Sequence, residues 1–334
     1  MKQFKMDPAS VPSVLHTLYA PIYEELEQVE QLLRKELTSE HTFVDRLARH
    51  GFRLGGKRMR PALVLLSGKA CGTLRQEHRI LAAAMEMIHT ATLIHDDVLD
   101  EATLRRHLDT VNARWDNEAS VLLGDYLLSR SMCLISSFDD AFACRTIAEA
   151  TRAICEGELL QVQNRGNYDL SEEEYVRIVS GKTATLTACC CHLGAHYAGA
   201  DAETCEAMTS FGRYVGVAFQ IADDLLDILG DEQTAGKSLG TDLMKQKATL
   251  PLIRLLGQVS PEERSELDSI LTREGNHRTE ALQPWFERSG AISYARETAM
   301  RFTRLAAEQL DRLAPSPARK AMQGLADFVI DRKQ

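Results

Sequence analysis

The sequence predicts an all-α protein, and three observations carry that prediction. Segments 77–99 (EHRILAAAMEMIHTATLIHDDVL), 119–135, 171–196 and 203–229 are long, rich in Ala, Leu, Ile and Met, and poor in Gly and Pro. Alternating β-branched runs with hairpin signals are essentially missing. Ser171 followed by Glu174 reads as a capping box that opens a helix through EEEYVRIVSGK.

Taken in order along the chain, Pro61 marks the first turn of a helix after GGKRMRP (55–61), and segments 77–99 and 119–135 follow. Segments 171–196 and 203–229 come next, then GDEQTAGKSLGTD (230–242), which is the clearest long loop. Pro251 marks the start of another helix. No linker or low-complexity stretch divides the chain. The expectation is therefore a single domain over 1–334, with a motif-bearing core at about 20–257 and C-terminal helices at 258–334.

Bulk properties narrow the function. A net charge of -9 over 334 residues argues against nucleic acid as the main partner. Apolar residues at 44% and charged residues at 26% suffice for a substantial core. None of the eight cysteines forms a CxxC pair, and the run Cys189, Cys190, Cys191 suits neither zinc nor a disulfide framework. They read as reduced, mostly buried small hydrophobes of a cytosolic protein. MKQFKMDPAS lacks the apolar core of a signal peptide, and no apolar run approaches the roughly 20 residues of a membrane span. A soluble, cytoplasmic protein is expected.

Two segments echo each other. TLIHDDVLD (92–100) and FQIADDLLD (219–227) each end an apolar helix with two adjacent aspartates and a third three residues on. On a helix Asp96 and Asp100 are i, i+4 neighbours, and Asp97 is i, i+3 from Asp100, so all three crowd one edge. Asp223, Asp224 and Asp227 do the same. Like charges so placed repel by a few tenths of a kcal/mol per pair even in water, and more when buried. A hard cation removes the penalty, because carboxylate oxygens suit Mg²⁺, which also takes phosphate and water ligands. The bland alternative is a solvated acidic helix end. It serves for one such cluster and poorly for two on strongly apolar helices.

Cations accompany the carboxylates. Lys57 and Arg60 follow a flexible Gly pair that permits close backbone approach. Arg105 and Arg106 trail the first cluster, and guanidinium forks bind phosphate bidentately. Lys182 in SGKTATL and Lys237 in AGKSLGTD sit beside small residues. Each alone reads as a surface residue, and GGK without a following Ser or Thr is no nucleotide P-loop. Together they outline two anionic pockets in one cavity.

In this order GGKRMRP, HDDVLDEATLRR, GDYL, SGKTA, FQIADDLLD, GKSLGTDL and KATLP resemble the trans-isoprenyl diphosphate synthases (polyprenyl synthetases). The likeness is closest to the bacterial long-chain members that make hexa- to decaprenyl diphosphates for quinone side chains. It runs from about residue 20 to LADFVIDR (325–332). It implies a bundle of antiparallel helices around a deep central cavity, usually homodimeric. It implies that Asp96, Asp97, Asp100, Asp223 and Asp227 ligate a cluster of Mg²⁺ ions bridging to an allylic diphosphate, with Asp224 close behind. It gives Arg105, Lys182, Lys237 and Lys247 to that diphosphate, and Lys57, Arg60, His89 and Arg106 to isopentenyl diphosphate. Thr183 and Gln220 are placed beside the reacting carbon. A histidine on an apolar helix is usually a satisfied core residue, but His89 precedes Asp96 by seven residues, two turns, and so shares its face. One departure stands out. Where the family reads RRGxPT, this chain reads RRHLDT (105–110), with His107 for glycine and Asp109 for proline. A less tightly turned loop is expected there, with an extra carboxylate near the arginines.

The implied reaction is head-to-tail: the allylic diphosphate ionises, the double bond of isopentenyl diphosphate attacks, and a proton leaves to the released diphosphate. No Ser/His/Asp or Cys/His nucleophile is required. A class I terpene cyclase would share the first cluster but not DDLLD or a second diphosphate pocket. Head-to-head synthases fit the motif details poorly, and a non-catalytic subunit of a heteromeric synthase would be expected to lose aspartates. A short-chain synthase remains the nearest alternative. One helical turn rises about 5.4 Å, close to one isoprene unit (~5 Å), so layers of helix 77–99 gauge chain growth. Ala91 and Thr92, then Ile88 and Met87, then Ala83 and Ala84 lie in successive layers below the aspartates. Short-chain members carry an aromatic residue just upstream of the aspartates, and here Ala91 and Thr92 leave that floor open, which points to a product of more than about twenty carbons. Ala91→Phe should shorten the product. Chromatography of the dephosphorylated lipid checks this, and unchanged length refutes the floor.

Overall fold

The computed structural model describes residues 13–53, 56–230, 240–272 and 278–330, so Lys237 lies outside the described residues. Helices α1 (Ser13–Tyr19), α2 (Tyr23–Glu36), α3 (Thr42–Arg53), α4 (Met59–Cys71) and α5 (Gln76–Leu99) lead into a two-stranded hairpin, β1 (Leu104–Arg105) and β2 (Leu108–Asp109). Then come α6 (Val111–Arg114), α7 (Asn117–Ile135), α8 (Phe142–Gln163), α9 (Glu172–Val179), α10 (Thr185–Tyr197) and α11 (Ala202–Leu229). The C-terminal part holds α12 (Thr241–Met244), α13 (Leu250–Leu256), α14 (Pro261–Leu271), α15 (Arg278–Ser289), α16 (Ala291–Gln309) and α17 (Pro317–Ile330).

The helical reading holds, with two differences. The hairpin was not anticipated, because strands of two residues leave no alternating pattern. Segment 171–196 is also not one helix: a π-helical turn, Ser180–Ala184, interrupts it between α9 and α10. Such turns occur often at functional sites, since the extra residue re-aims side chains. The capping box is formed. Ser171 Oγ accepts from the Glu174 amide at 3.2 Å, and Glu174 Oε2 accepts from the Ser171 amide at 3.0 Å. Pro61 and Pro251 sit in the first turns of α4 and α13, where a missing N–H costs nothing.

The main core lies where α4, α5, α10 and α11 meet, with α7 and α16 on the flanks. Runs such as Leu63–Leu66 and Leu81–Met85 are fully buried all round, as expected of helices with no solvent face. A smaller apolar cluster joins Ile228 to Leu252, Leu267, Leu282 and Phe286 and seats helices α12–α15 against the end of α11. All eight cysteines are free thiols. Four are buried as expected, but Cys133 and Cys155 are exposed, on the outer faces of α7 and α8.

A buried ion-pair triad fixes the turn that leads into α4. Arg58, in the left-handed region at φ 53°, donates to Glu30 on α2 at 2.5 Å and to Glu86 on α5 at 2.9 Å. Removing the arginine would strand two buried carboxylates, and breaking such a group costs about 3–5 kcal/mol. Arg58→Ala should therefore lower unfolding stability by roughly that amount, as read from urea denaturation followed by circular dichroism.

Candidate active site

The six aspartates stand at the ends of α5 and α11, and each triplet holds both accessible and buried members. Asp96, Asp100 and Asp223 remain partly accessible, whereas Asp97, Asp224 and Asp227 are buried. Burial demands partners, because an unpaired carboxylate in low dielectric is costly. Asp97 has one in Arg105, whose guanidinium forks onto it, Nη2 to Oδ1 at 2.7 Å and Nε to Oδ1 at 3.0 Å. Asp224 accepts from the Tyr175 hydroxyl at 2.6 Å and the Gln220 amide at 2.8 Å. Asp227 accepts from the Thr241 hydroxyl at 3.1 Å and from the backbone N–H groups of Thr241 and Asp242.

Charge links the two triplets. Arg105 is held charged against its burial by Asp97, Asp96 and Asp223, so this guanidinium feels carboxylates of both helices. Burial raises Asp96, with Glu158 and Asp100 adding to the rise and Lys182 opposing it. Burial likewise raises Asp97 in spite of Arg105. Burial would also raise Asp100, but Lys247, Lys245 and Lys182 together hold it low. Asp224 is pushed up to about 8 by burial and Asp242, against the hydrogen bonds it accepts.

The π-turn presents Lys182 and Thr183. It fits because Gly157 on α8 has no side chain: a Cβ there would stand 2.4 Å from the Lys182 amide nitrogen. Lys182 Nζ lies 2.5 Å from Glu158. The Thr183 hydroxyl donates to Gln220 Oε1 at 2.8 Å, completing a chain Thr183–Gln220–Asp224–Tyr175. Lys247 stands 3.3 Å from Asp242 and 3.8 Å from Asp100.

A second group of cations adjoins this one. Arg60 Nε is buried without a hydrogen-bond partner, and its guanidinium lies 5.6 Å from the centre of the Phe219 ring. Lys57 Nζ is 5.0 Å from the Phe328 ring. Arg106 packs onto the backbone of Gly56, where a Cβ would fall 2.1 Å from Nη2. Burial, followed by Arg60, Arg106, Arg105 and Arg58, keeps His89 well below its ordinary pKa, so it is neutral. Arg60 and Arg106 thus act on His89 from close by, and Lys57 follows Gly56 in the chain.

The loop between the arginines and Thr110 is not loosely turned. Leu104 pairs with Asp109 and Arg105 with Leu108, leaving only Arg106 and His107 to reverse the chain. Both adopt positive φ, 52° and 61°. The twist of two strands joined by two residues imposes this geometry whatever the side chains. His50 on α3 pins the return strand: its Nε2 lies 2.7 Å from the Asp109 carbonyl oxygen, and its ring packs edge-on against Trp115 at 5.1 Å. The Asp109 residue itself is exposed.

Along α5, His89, Thr92, Leu93 and Asp96 form a partly accessible stripe. Thr92 belongs to it, while Ala91, Ile88 and Met87 are fully buried. The sequence reading missed Leu93, Tyr175, Glu158, Asp242 and Lys245. Tyr175 looked like an ordinary core position of α9, and Glu158 carried no local signal. Leu93 and Asp242 lie inside TLIHDDVLD and GKSLGTDL, and Lys245 stands two residues before Lys247 in KQKATLP.

The donor set suits a hard divalent cation. It is all oxygen, and Asp96, Asp100 and Asp223 are partly accessible. Among the described residues no three metal-binding side chains form a ready-made cage. Mg²⁺ does not need one, since it usually takes one or two carboxylates and completes its shell with water and substrate phosphate.

A family model described as polyprenyl synthetase matches residues 41–287. The all-trans-nonaprenyl-diphosphate synthase (geranyl-diphosphate specific) of Rhodobacter capsulatus is 36% identical over 95% of this chain and 98% of its own length. A short chain isoprenyl diphosphate synthase of Methanothermobacter thermautotrophicus is also 36% identical, over 86% of this chain and 90% of its own. Among solved structures, a polyprenyl synthase from Caulobacter crescentus complexed with calcium and isoprenyl diphosphate superposes with a TM-score of 0.91 at 33% identity, covering 97% and 99% of the two chains.

Left-handed backbone at a side-chain-bearing residue costs about 1–2 kcal/mol. His107→Gly should therefore stabilise the protein by about 1 kcal/mol, seen as a rise in Tm by calorimetry.

Proposed function

This chain belongs to the polyprenyl synthetase family and is a prenyltransferase, and from that premise we propose that it condenses isopentenyl diphosphate head-to-tail with an allylic diphosphate into a linear all-trans product of more than about twenty carbons. The observation that carries this reading is the meeting of two carboxylate triplets with two separate cation groups, which suits two diphosphates held at once.

Mg²⁺, when bound through Asp96, Asp100 and Asp223, supplies positive charge for the departing diphosphate. Lys182, Lys247 and Arg105 add fixed cationic charge on the same side. Lys57, Arg60, Arg106 and neutral His89 hold the second diphosphate, with His89 donating an N–H. Because the Thr183 proton is committed to Gln220, the lone pairs of its oxygen remain for the electron-poor allylic carbon. Burial of the surrounding helices excludes water that would quench that carbon.

Relatives of unlike product length are equally identical, so identity does not decide length. Coverage of 98% against 90% favours the nonaprenyl relative, as do the small residues Ala91 and Thr92. Exposed Val121 and Leu122 on α7 and Leu159 and Val162 on α8 support a homodimer through this face. Eight free thiols, and the lack among the described residues of any helix long and apolar enough to cross a membrane, fit a cytoplasmic enzyme.

Incubating the chain alone with farnesyl diphosphate, isopentenyl diphosphate and Mg²⁺ should yield a linear polyprenyl diphosphate, and EDTA should abolish it. Asp96→Asn should lower kcat by a factor of about 100 or more. A cyclic hydrocarbon formed without isopentenyl diphosphate would favour a cyclase, and inactivity of the chain alone would favour a partner-dependent subunit.

A further inference from the structure

The segment from Gly240 to Lys247 ties the two aspartate triplets together. Its start is fastened to the second: the Gly240 amide donates to the Asp227 carbonyl at 3.0 Å, and Thr241 and Asp242 bind the Asp227 carboxylate. Its end is fastened elsewhere, the Gln246 carbonyl accepting from the Gly166 amide at 2.8 Å. Between these anchors Lys245 reaches the first triplet. Its ammonium lies 2.7 Å from Asp100 Oδ1 and also donates to the Asp100 carbonyl oxygen. It acts on Asp97 electrostatically as well. One positive charge therefore stands among the carboxylates that the proposed function gives to a divalent metal.

We propose that Lys245 is a resident counter-cation of the first aspartate triplet, competing with divalent metal for Asp100 and transferring to a diphosphate oxygen once that carboxylate is taken. This rests on the proposed metal–diphosphate site. An ammonium and a divalent ion on one carboxylate repel each other strongly at such range. The backbone of Lys245 is held on both sides, but its four-carbon stem turns freely and can move the charge by several ångströms. The nearest new partner for a displaced ammonium is the anion that arrives with the metal. Lys247 cannot take this role equally, since Asp242 holds it at 3.3 Å and it stands 3.8 Å from Asp100. The Lys245 and Asp100 side chains are 22% and 29% exposed, so water screens the contest and the effect is moderate.

The test is calorimetric titration of the full chain with Mg²⁺ alone, and again with Mg²⁺ in the presence of inorganic pyrophosphate. Lys245→Gln should bind Mg²⁺ alone about tenfold more tightly than the unaltered protein, about 1.4 kcal/mol. With pyrophosphate present this advantage should vanish or reverse. Lys245→Arg should behave like the unaltered protein, and Lys245→Met provides a second neutral variant should the glutamine form not fold. Equal or weaker Mg²⁺ binding by the neutral variants overturns the proposal, while pyrophosphate-dependent Mg²⁺ binding by the unaltered protein still upholds the site. Absence of Mg²⁺ binding by every form, even with pyrophosphate, removes both.

Discussion

Six carboxylates at the ends of two buried helices repel one another, and the surrounding structure is arranged to make that repulsion tolerable. A carboxylate in low dielectric must be paired, hydrogen-bonded or protonated. The structure uses pairing and hydrogen bonding unequally. Asp97, Asp224 and Asp227 are buried and satisfied by Arg105, by Tyr175 with Gln220, and by the start of α12. Those contacts hold the helix ends in register. Asp96, Asp100 and Asp223 stay accessible, and the same crowding that makes them costly makes them avid for a cation.

The remaining elements follow from holding charge of both signs close together. The hairpin carries Arg105 onto Asp97, and its two-residue turn lays Arg106 back across Gly56. The π-turn seats Lys182 against Glu158, and only a glycine on α8 allows that approach. The triad Glu30–Arg58–Glu86 locks Arg58, next to Lys57, in a conformation that a non-glycine residue seldom adopts. Arg58, Arg105, Arg106 and Lys182 thus have a structural reason for their positions apart from any ligand.

Much of this was legible in the sequence, because helical periodicity and the aspartate echo are local patterns. Helices α5, α7 and α11 begin and end within a residue or two of the apolar segments, and the paired triplets place themselves by spacing alone. What escaped was long-range or turn-encoded. Glu158 and Tyr175 matter through partners far along the chain, Lys182 and Asp224, and no local pattern announces such pairs. The Arg106–His107 turn lacks the glycine that marks such turns, so the departure from RRGxPT read as loosening. Strand pairing overrode side-chain preference instead. The π-turn was hidden for a related reason, since one extra residue in a helix barely disturbs its apolar periodicity.

Helix α5 bears Glu86, His89 and Asp96 on one continuous rod that ends at Asp100, and so acts as a ruler between the histidine and the aspartates. From His89 to Asp96 the rod advances about 10 Å without a hinge. Adding or deleting one residue in that interval would turn everything above it by about 100° relative to everything below, taking the histidine and the aspartates off their shared face. The side chains of this stretch can therefore vary, but the number of residues between the two landmarks cannot.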